Sequence, residues 1–161
     1  MSIATVREYL AQFGAADQVL EFPVSSATVE LAAQAAGVIP ARIAKSLSFK
    51  VDGKAVVIVT AGDAKVDNIK FKNFFHTKAK MLTPDEVETM VGHTVGGVCP
   101  FALKEDVQVY LDQSLQRFDS VYPAAGSANS AIALTCAQLE QYACHCMGWG
   151  DFCKGWQEPT P

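Results

Sequence analysis

The 161-residue sequence has no long apolar run. Its first stretch, MSIATVREYLAQFG, is broken by Arg7, Glu8 and Gln12, so no signal peptide or membrane span is expected there, and the expected location is cytoplasmic with no membrane partner. Familiar catalytic signatures are missing as well: no G-x-S-x-G elbow, no phosphate-binding loop and no dinucleotide fingerprint. The five cysteines, Cys99, Cys136, Cys144, Cys146 and Cys153, are odd in number and follow no disulfide-framework spacing, which points to reduced thiols. Charged residues make up 19% and apolar residues 50%, with glycine and proline scattered, which excludes a disordered or collagen-like chain. One domain over 1–161 is expected, burying roughly two-thirds of the surface that the unfolded chain exposes.

The net charge of −4 argues against a polyanionic partner only until its distribution is considered. From Arg42 to Lys80 there are nine basic residues and three acidic ones, while the remainder holds four basic and fourteen acidic. A basic segment of this kind can steer a phosphate backbone, with Lys50, Lys70, Lys72, Lys78 and Lys80 as candidate nucleic-acid contacts; the alternative is a set of solvated faces.

Val6, Tyr9, Leu10 and Phe13 fall at helical spacing, so residues 3–13 are expected as an amphipathic helix stopped by Gly14. A short extended segment follows over 19–24. Ser25, Ser26 and Thr28 then offer capping oxygens for a helix from Val29 that ends at Gly37. The clearest local signal is a β-hairpin, Ile43–Val51 and Lys54–Ala61, joined by Asp52-Gly53. Further on, the pattern predicts a helix over 67–75, a strand over 78–82 and a helix from Pro84 ended by Gly92. Strands over 107–111, 120–122 and 131–135 and a helix of about ten residues from Cys136 complete the reading. Strands and helices do not alternate as βαβ units, so an α+β fold is expected, with a mixed, largely antiparallel, barrel-like sheet flanked by helices.

Alternation places Lys45 on the apolar face of its strand with Ile43, Leu47 and Phe49. Either its ammonium snorkels to solvent, or it is held in a cleft to meet an anionic or carbonyl group. In Thr94-Val95-Gly96-Gly97-Val98-Cys99-Pro100-Phe101 the paired glycines let the backbone approach a ligand, and N–H groups of such a loop can stabilise an oxyanion. The small residues Ala124-Ala125-Gly126-Ser127-Ala128-Asn129-Ser130 could wall a small pocket or form a surface loop. Cys144-His145-Cys146 with Cys153 fits no zinc spacing, and Cys146 shares an expected helical face with Leu139, Tyr142 and Ala143. Nothing pairs Cys99 with His76, His93 or His145 as nucleophile and base.

In order, Ile43-Ala44-Lys45-Ser46-Leu47-Ser48-Phe49, then Gly92-His93-Thr94-Val95-Gly96-Gly97-Val98-Cys99-Pro100-Phe101, then Val109-Tyr110-Leu111-Asp112-Gln113-Ser114-Leu115 resemble the YbaK/prolyl-tRNA-synthetase editing-domain family. The segments Glu21-Phe22-Pro23-Val24-Ser25-Ser26-Ala27-Thr28 and Ala124-Ala125-Gly126-Ser127-Ala128-Asn129-Ser130-Ala131 look most like its free-standing ProXp-x branch. The likeness departs at Ser46, where Thr is commoner, and in the tail from Gly148 to Cys153.

The resemblance implies hydrolysis of mischarged tRNA, often tRNA(Pro), with no cofactor or metal and with prolyl-tRNA synthetase as a further candidate partner. It makes Lys45 the essential residue, and Ser25, Ser26, Thr28, Ser46, Gly96, Gly97, Val98, Cys99, Pro100, Phe101, Asp112, Gly126, Ser127 and Ser130 the substrate-binding set. A pocket framed by the Ser25-Ser26 segment, the Gly/Pro loop and residues 126–130 would admit alanine or 2-aminobutyrate and exclude proline. The alternative is a non-catalytic tRNA- or synthetase-binding module of the same fold.

Overall fold

The structure, a computed structural model, describes residues 3–94 and 97–156. In chain order it comprises α1 (Ile3–Ala11), β1 (Val19–Glu21), α2 (Val29–Ala36), β2 (Ile43–Val51), β3 (Lys54–Ala61), β4 (Lys65–Val66) and α3 (Asn68–Phe75). There follow α4 (Pro84–Glu86, continued by a π-type turn Val87–Val91), β5 (Gln108–Asp112), β6 (Tyr122–Pro123), β7 (Ser130–Ile132), α5 (Cys136–Tyr142), β8 (Cys146–Gly150) and β9 (Cys153–Lys154).

The β2–β3 hairpin organises the rest. Asp52 and Gly53 have φ of 51° and 78°, the left-handed pair that matches the right-handed twist of two antiparallel strands. β3 is apolar on both faces because both are covered: Val57, Ile58 and Val59 are fully buried, as are Phe101, Leu111, Leu115 and Phe152 in the same core. The main sheet runs β6-β2-β3-β5-β8, curled as a half-barrel with helices against it, so the α+β class with a mixed sheet holds.

Strand directions divide more evenly than the largely antiparallel expectation. β2–β3, β1–β7 and β4–β9 are antiparallel, while β2–β6, β3–β5 and β5–β8 are parallel. Hairpin turns announce antiparallel neighbours in sequence; the parallel ones arise from long crossovers, which carry no local signal.

Two elements differ from expectation. The helix from Cys136 ends after seven residues, because Ala143 turns extended and His145 takes φ of 47°. Cys146 therefore begins a strand and does not continue a helical face. The expected strand over 78–82 is reduced to a bridge between Met81 and Phe49. Two hydrogen bonds support that bridge: Lys50 N–H donates to the Lys80 carbonyl at 2.9 Å, and Leu82 N–H donates to the Ser48 carbonyl at 3.1 Å.

At Gly62 the end of β3 passes beneath α2 and the turn Pro40–Arg42. A Cβ at Gly62 would run into the Pro40 carbonyl oxygen and lie 2.7 Å from Val29 Cγ1. Gly62→Ala is expected to cost about 1–3 kcal/mol through overpacking, read as a lowered midpoint of chemical unfolding.

Lys50, reaching across to α4, holds the Glu86 carboxyl down from 4.5 to about 2, with the Thr83 N–H of the capping box adding to it. A depressed carboxyl contributes stability above its unfolded value and loses it as pH falls through the folded one. Thermal midpoints measured between pH 5 and 2 should therefore fall less steeply in Glu86→Gln than in the parent.

Candidate active-site cleft

The outer edge of β2 is paired at both ends and open in the middle. Near its start Ile43 and Ala44 pair with Tyr122 and Pro123 of β6, and near its end Phe49 meets Met81. Residues 45–47 lie between these covers, and a cleft of about 380 Å³ opens over them. That volume lies at the low end of small-molecule sites. Leu82, Pro84, Val87 and Val98 line it, as do Thr28, Val29 and Ala32 at the start of α2.

Local chemistry fixes both lining segments. Thr28 Oγ1 accepts from Leu31 N–H at 3.2 Å, capping α2 beside the cleft, and Gly37 closes the helix in the left-handed region. At α4 Thr83 and Glu86 form a reciprocal capping box and Pro84 occupies the first helical turn. The segment leading to α2 is tied to the loop after β6: Ser26 N–H donates to the Ala128 carbonyl at 2.6 Å, and Phe22 N–H to the Asn129 carbonyl at 2.8 Å. Ser127 and Ser130 hydroxyls meet at 2.8 Å beneath them.

Of the expected binding residues, Lys45, Ser26, Thr28, Ser46, Val98 and Ser130 line this cleft. Gly97 lies directly behind it, packed so closely on the loop after β6 that a Cβ would sit 3.2 Å from Gly126 and Ser127 backbone atoms. Ser25 is spent on its own turn, accepting from Ala27 N–H at 3.2 Å. Gly96 falls outside the described residues.

Cys99, Phe101 and Asp112 lead into the core. The Asp112 carboxylate is fully buried and accepts from Ser114 N–H at 3.0 Å and Phe152 N–H at 2.8 Å, so it joins β5 to the chain before β9. Pro100 places its carbonyl against Cys144 N–H at 2.8 Å. The cleft residues that sequence reasoning missed, Met81, Leu82, Val87 and Tyr122 among them, come from segments whose place beside β2 is set only by tertiary pairing.

Cys99 and His93 are the nearest approach to a nucleophile and base, at 3.6 Å between Sγ and Nε2. They do not act as one. Both are fully buried, and His93 Nε2–H donates to the Phe101 carbonyl at 2.8 Å, leaving that nitrogen no lone pair for the thiol proton. Burial pushes the Cys99 thiol up to about 12. Among the described residues no group of three His, Cys, Asp or Glu side chains could hold a metal ion, and no helix is long and apolar enough to cross a membrane.

Lys45 is half-buried, and among the described residues its ammonium has no hydrogen bond or ion pair. Burial lowers its pKa, opposed first by Cys153 and then by Asp63 and Glu30. Among the described residues no carboxylate lines the cleft. The other candidate contacts divide: Lys50 is paired with Glu86 at 2.7 Å and Lys70 with Asp151 at 2.8 Å, whereas Lys72, Lys78 and Lys80 stand exposed.

Fold and site thus define a small α+β domain with a mostly apolar cleft, a cation and several hydroxyls at a broken sheet edge. Residues 24–142 match the model of the aminoacyl-tRNA editing domain, and the chain belongs to that family. It is 51% identical to YwhH of Bacillus subtilis (strain 168) over 98% of this chain and all of that one. It is also 37% identical to part of the proline–tRNA ligase of the same organism, covering 45% of this chain and 13% of the ligase. A solved structure described as a "putative trans-editing enzyme for prolyl tRNA synthetase" superposes with a TM-score of 0.85 at 27% identity, covering 95% of this chain and 97% of that one. Membership of this family supports a general role in aminoacyl-tRNA editing.

With its thiol neutral and shut away, Cys99 should remain unlabelled when native protein is treated with iodoacetamide at pH 8 and should react only after unfolding. Peptide mass spectrometry reads the difference.

Proposed function

We propose that the protein is a trans-editing deacylase, a single domain that removes a small wrong amino acid, such as alanine or 2-aminobutyrate, from tRNA(Pro). The observation that carries this is the unpartnered Lys45 ammonium in a small, mostly apolar cleft of an editing-domain fold. A half-buried cation with no counter-ion is poised for an anionic or carbonyl group brought by a ligand. The 3′ end of a charged tRNA brings both, a phosphate and an activated ester.

In hydrolysis the oxygen of water bonds to the ester carbonyl carbon; a tRNA hydroxyl that attacks first only moves the acyl group to a new ester, which water must still cleave. The ribose oxygen then leaves with a proton, and the amino acid departs as its carboxylate, releasing one proton to solvent. An aminoacyl ester needs no covalent enzyme intermediate, so orientation and electrostatic stabilisation can supply the acceleration.

The size of the cleft supports the choice of substrate. An apolar synthetase pocket separates amino acids differing by a methylene by only about 1–3 kcal/mol, so a second sieve is needed for small intruders. Residues 26–28, Val98 and Ser130 close the cleft to about 380 Å³ and set its upper limit. The exposed Lys72, Lys78 and Lys80 are the proposed contacts for the tRNA backbone, with Lys50 and Lys70 already held by carboxylates. Kinship with proline–tRNA ligases makes tRNA(Pro) the first tRNA to test and the synthetase a candidate partner.

The test is single-turnover deacylation of tRNA(Pro) charged separately with alanine, 2-aminobutyrate, cysteine and proline. At least one non-proline ester should be cleaved well above its spontaneous rate and prolyl-tRNA should not. Lys45→Ala should lose about 100-fold or more in rate, the scale of losing a single transition-state contact. Equal cleavage of prolyl-tRNA would overturn the sieve, and no cleavage of any ester would leave a tRNA-binding module.

A further inference from the structure

We infer that the aminoacyl group docks as a missing residue of the β2 ladder: Ser46 N–H donates to the ester carbonyl and the Ser46 carbonyl accepts from the α-ammonium. This rests on the deacylase reading above and names the groups that hold its substrate.

The direction of the Ser46 main chain follows from its neighbours. Along a strand, successive residues turn their N–H and C=O to opposite edges. Lys50 N–H and the Ser48 carbonyl are bonded to the segment 80–82, away from β3, so the even-numbered residues of β2 face the outer edge. Ala44 belongs to that edge and is paired with β6. Ser46 lies midway, and among the described residues no backbone hydrogen bond reaches it from that side.

Ser46 does not offer its hydroxyl to the cleft. It lines the cleft, yet its Oγ has less than 1 Å² of accessible surface and no hydrogen-bond partner. What Ser46 has left to offer a ligand is one N–H donor and one carbonyl acceptor on its open edge, spaced as in any strand residue.

An aminoacyl ester carries the reciprocal pair: ammonium donors on Cα and a carbonyl acceptor on the next carbon. Two residues opposed in a ladder exchange both bonds in this way. The stretch between β6 and the segment 80–82 has room for such a single-residue addition, the shortest form of strand augmentation. Because no carboxylate of the described residues lines the cleft, the α-ammonium is received by neutral oxygens, and the Ser46 carbonyl is one already free.

In the Gly/Pro loop one candidate oxyanion donor is already spent. Gly97 N–H is committed to the Thr94 carbonyl at 3.0 Å. Ser46 N–H has no such commitment and adjoins Lys45 in the same strand, so both can act on one carbonyl oxygen as charge develops there.

Two measurements test this. The first compares the amino acid cleaved fastest with its counterpart lacking the amine, propionate for alanine or butyrate for 2-aminobutyrate, each esterified to the same tRNA. Rates are divided by the spontaneous hydrolysis rate of each ester, because an α-ammonium itself activates the carbonyl. The deamino ester should be accelerated at least 100-fold less. The second is Ser46→Pro, which removes an N–H that the β3 ladder does not use and which open-edge strand positions tolerate. It should keep the parent's thermal midpoint and lose about 10²–10³ in single-turnover rate.

Equal acceleration of the amino and deamino esters, or a folded Ser46→Pro with the parent's rate, overturns the inference while the deacylase reading stands. If Ser46→Pro does not fold, the deamino comparison decides alone. If the parent accelerates no aminoacyl ester, both fall together.

Discussion

Among the described residues the middle of β2 is hydrogen-bonded on one side only, and the rest of the structure is arranged around that fact. On its inner side the strand is held in register with β3 from Ala44 to Val51. On its outer side two remote segments, Tyr122–Pro123 and residues 80–82, each cover one end and stop short of each other. A longer open edge would invite pairing with another chain, whereas a gap bounded at both ends is too short for a strand and suited to a small molecule. The lining segments serve the same opening: α2 is capped at its brim, α4 starts beside it, and the loop after β6 is bonded to the segment before α2.

What could be read from sequence was what depends on local chemistry. Asp52-Gly53 announced the hairpin and its register, Thr28 and Gly37 bounded α2, and alternation identified Lys45 as the odd member of an apolar face. The outer neighbours of β2 could not be read, because a two-residue strand and a single bridge have no pattern of their own. Parallel pairing of β3, β5 and β8 was hidden for a related reason: crossovers separate the partners, and no turn residue marks them. Cys146 was misplaced on a helix because the spacing of Leu139, Tyr142 and Ala143 continues to look helical after Ala143 has turned extended.

The family motifs mixed two kinds of residue that only the structure separates. Lys45, Ser46 and Val98 reach the cleft, whereas Cys99 and Phe101 are buried in the core and Asp112 ties the end of β5 to Phe152 by accepting backbone N–H groups. A motif string records everything that building the loop requires, so residues that shape the backbone appear beside residues that meet the ligand. Likewise the basic segment had no single purpose. Lys50 and Lys70 are drawn into ion pairs with α4 and the tail, which removes two cations from the free surface.

Lys45 and Ser46 share an unusual condition. A half-buried ammonium without a counter-ion and a strand residue without its outer hydrogen bonds both cost free energy that an apolar residue and a completed ladder would avoid. Neither cost is needed for folding, since the hairpin is secured by its turn and by the covered faces of β3. Local polar deficits concentrated at adjacent positions, within a cleft that no carboxylate of the described residues lines, are the pattern expected where a ligand supplies the missing partners. On the proposed function one ligand answers both deficits, since the charged end of a tRNA presents an ammonium, a carbonyl and a phosphate together.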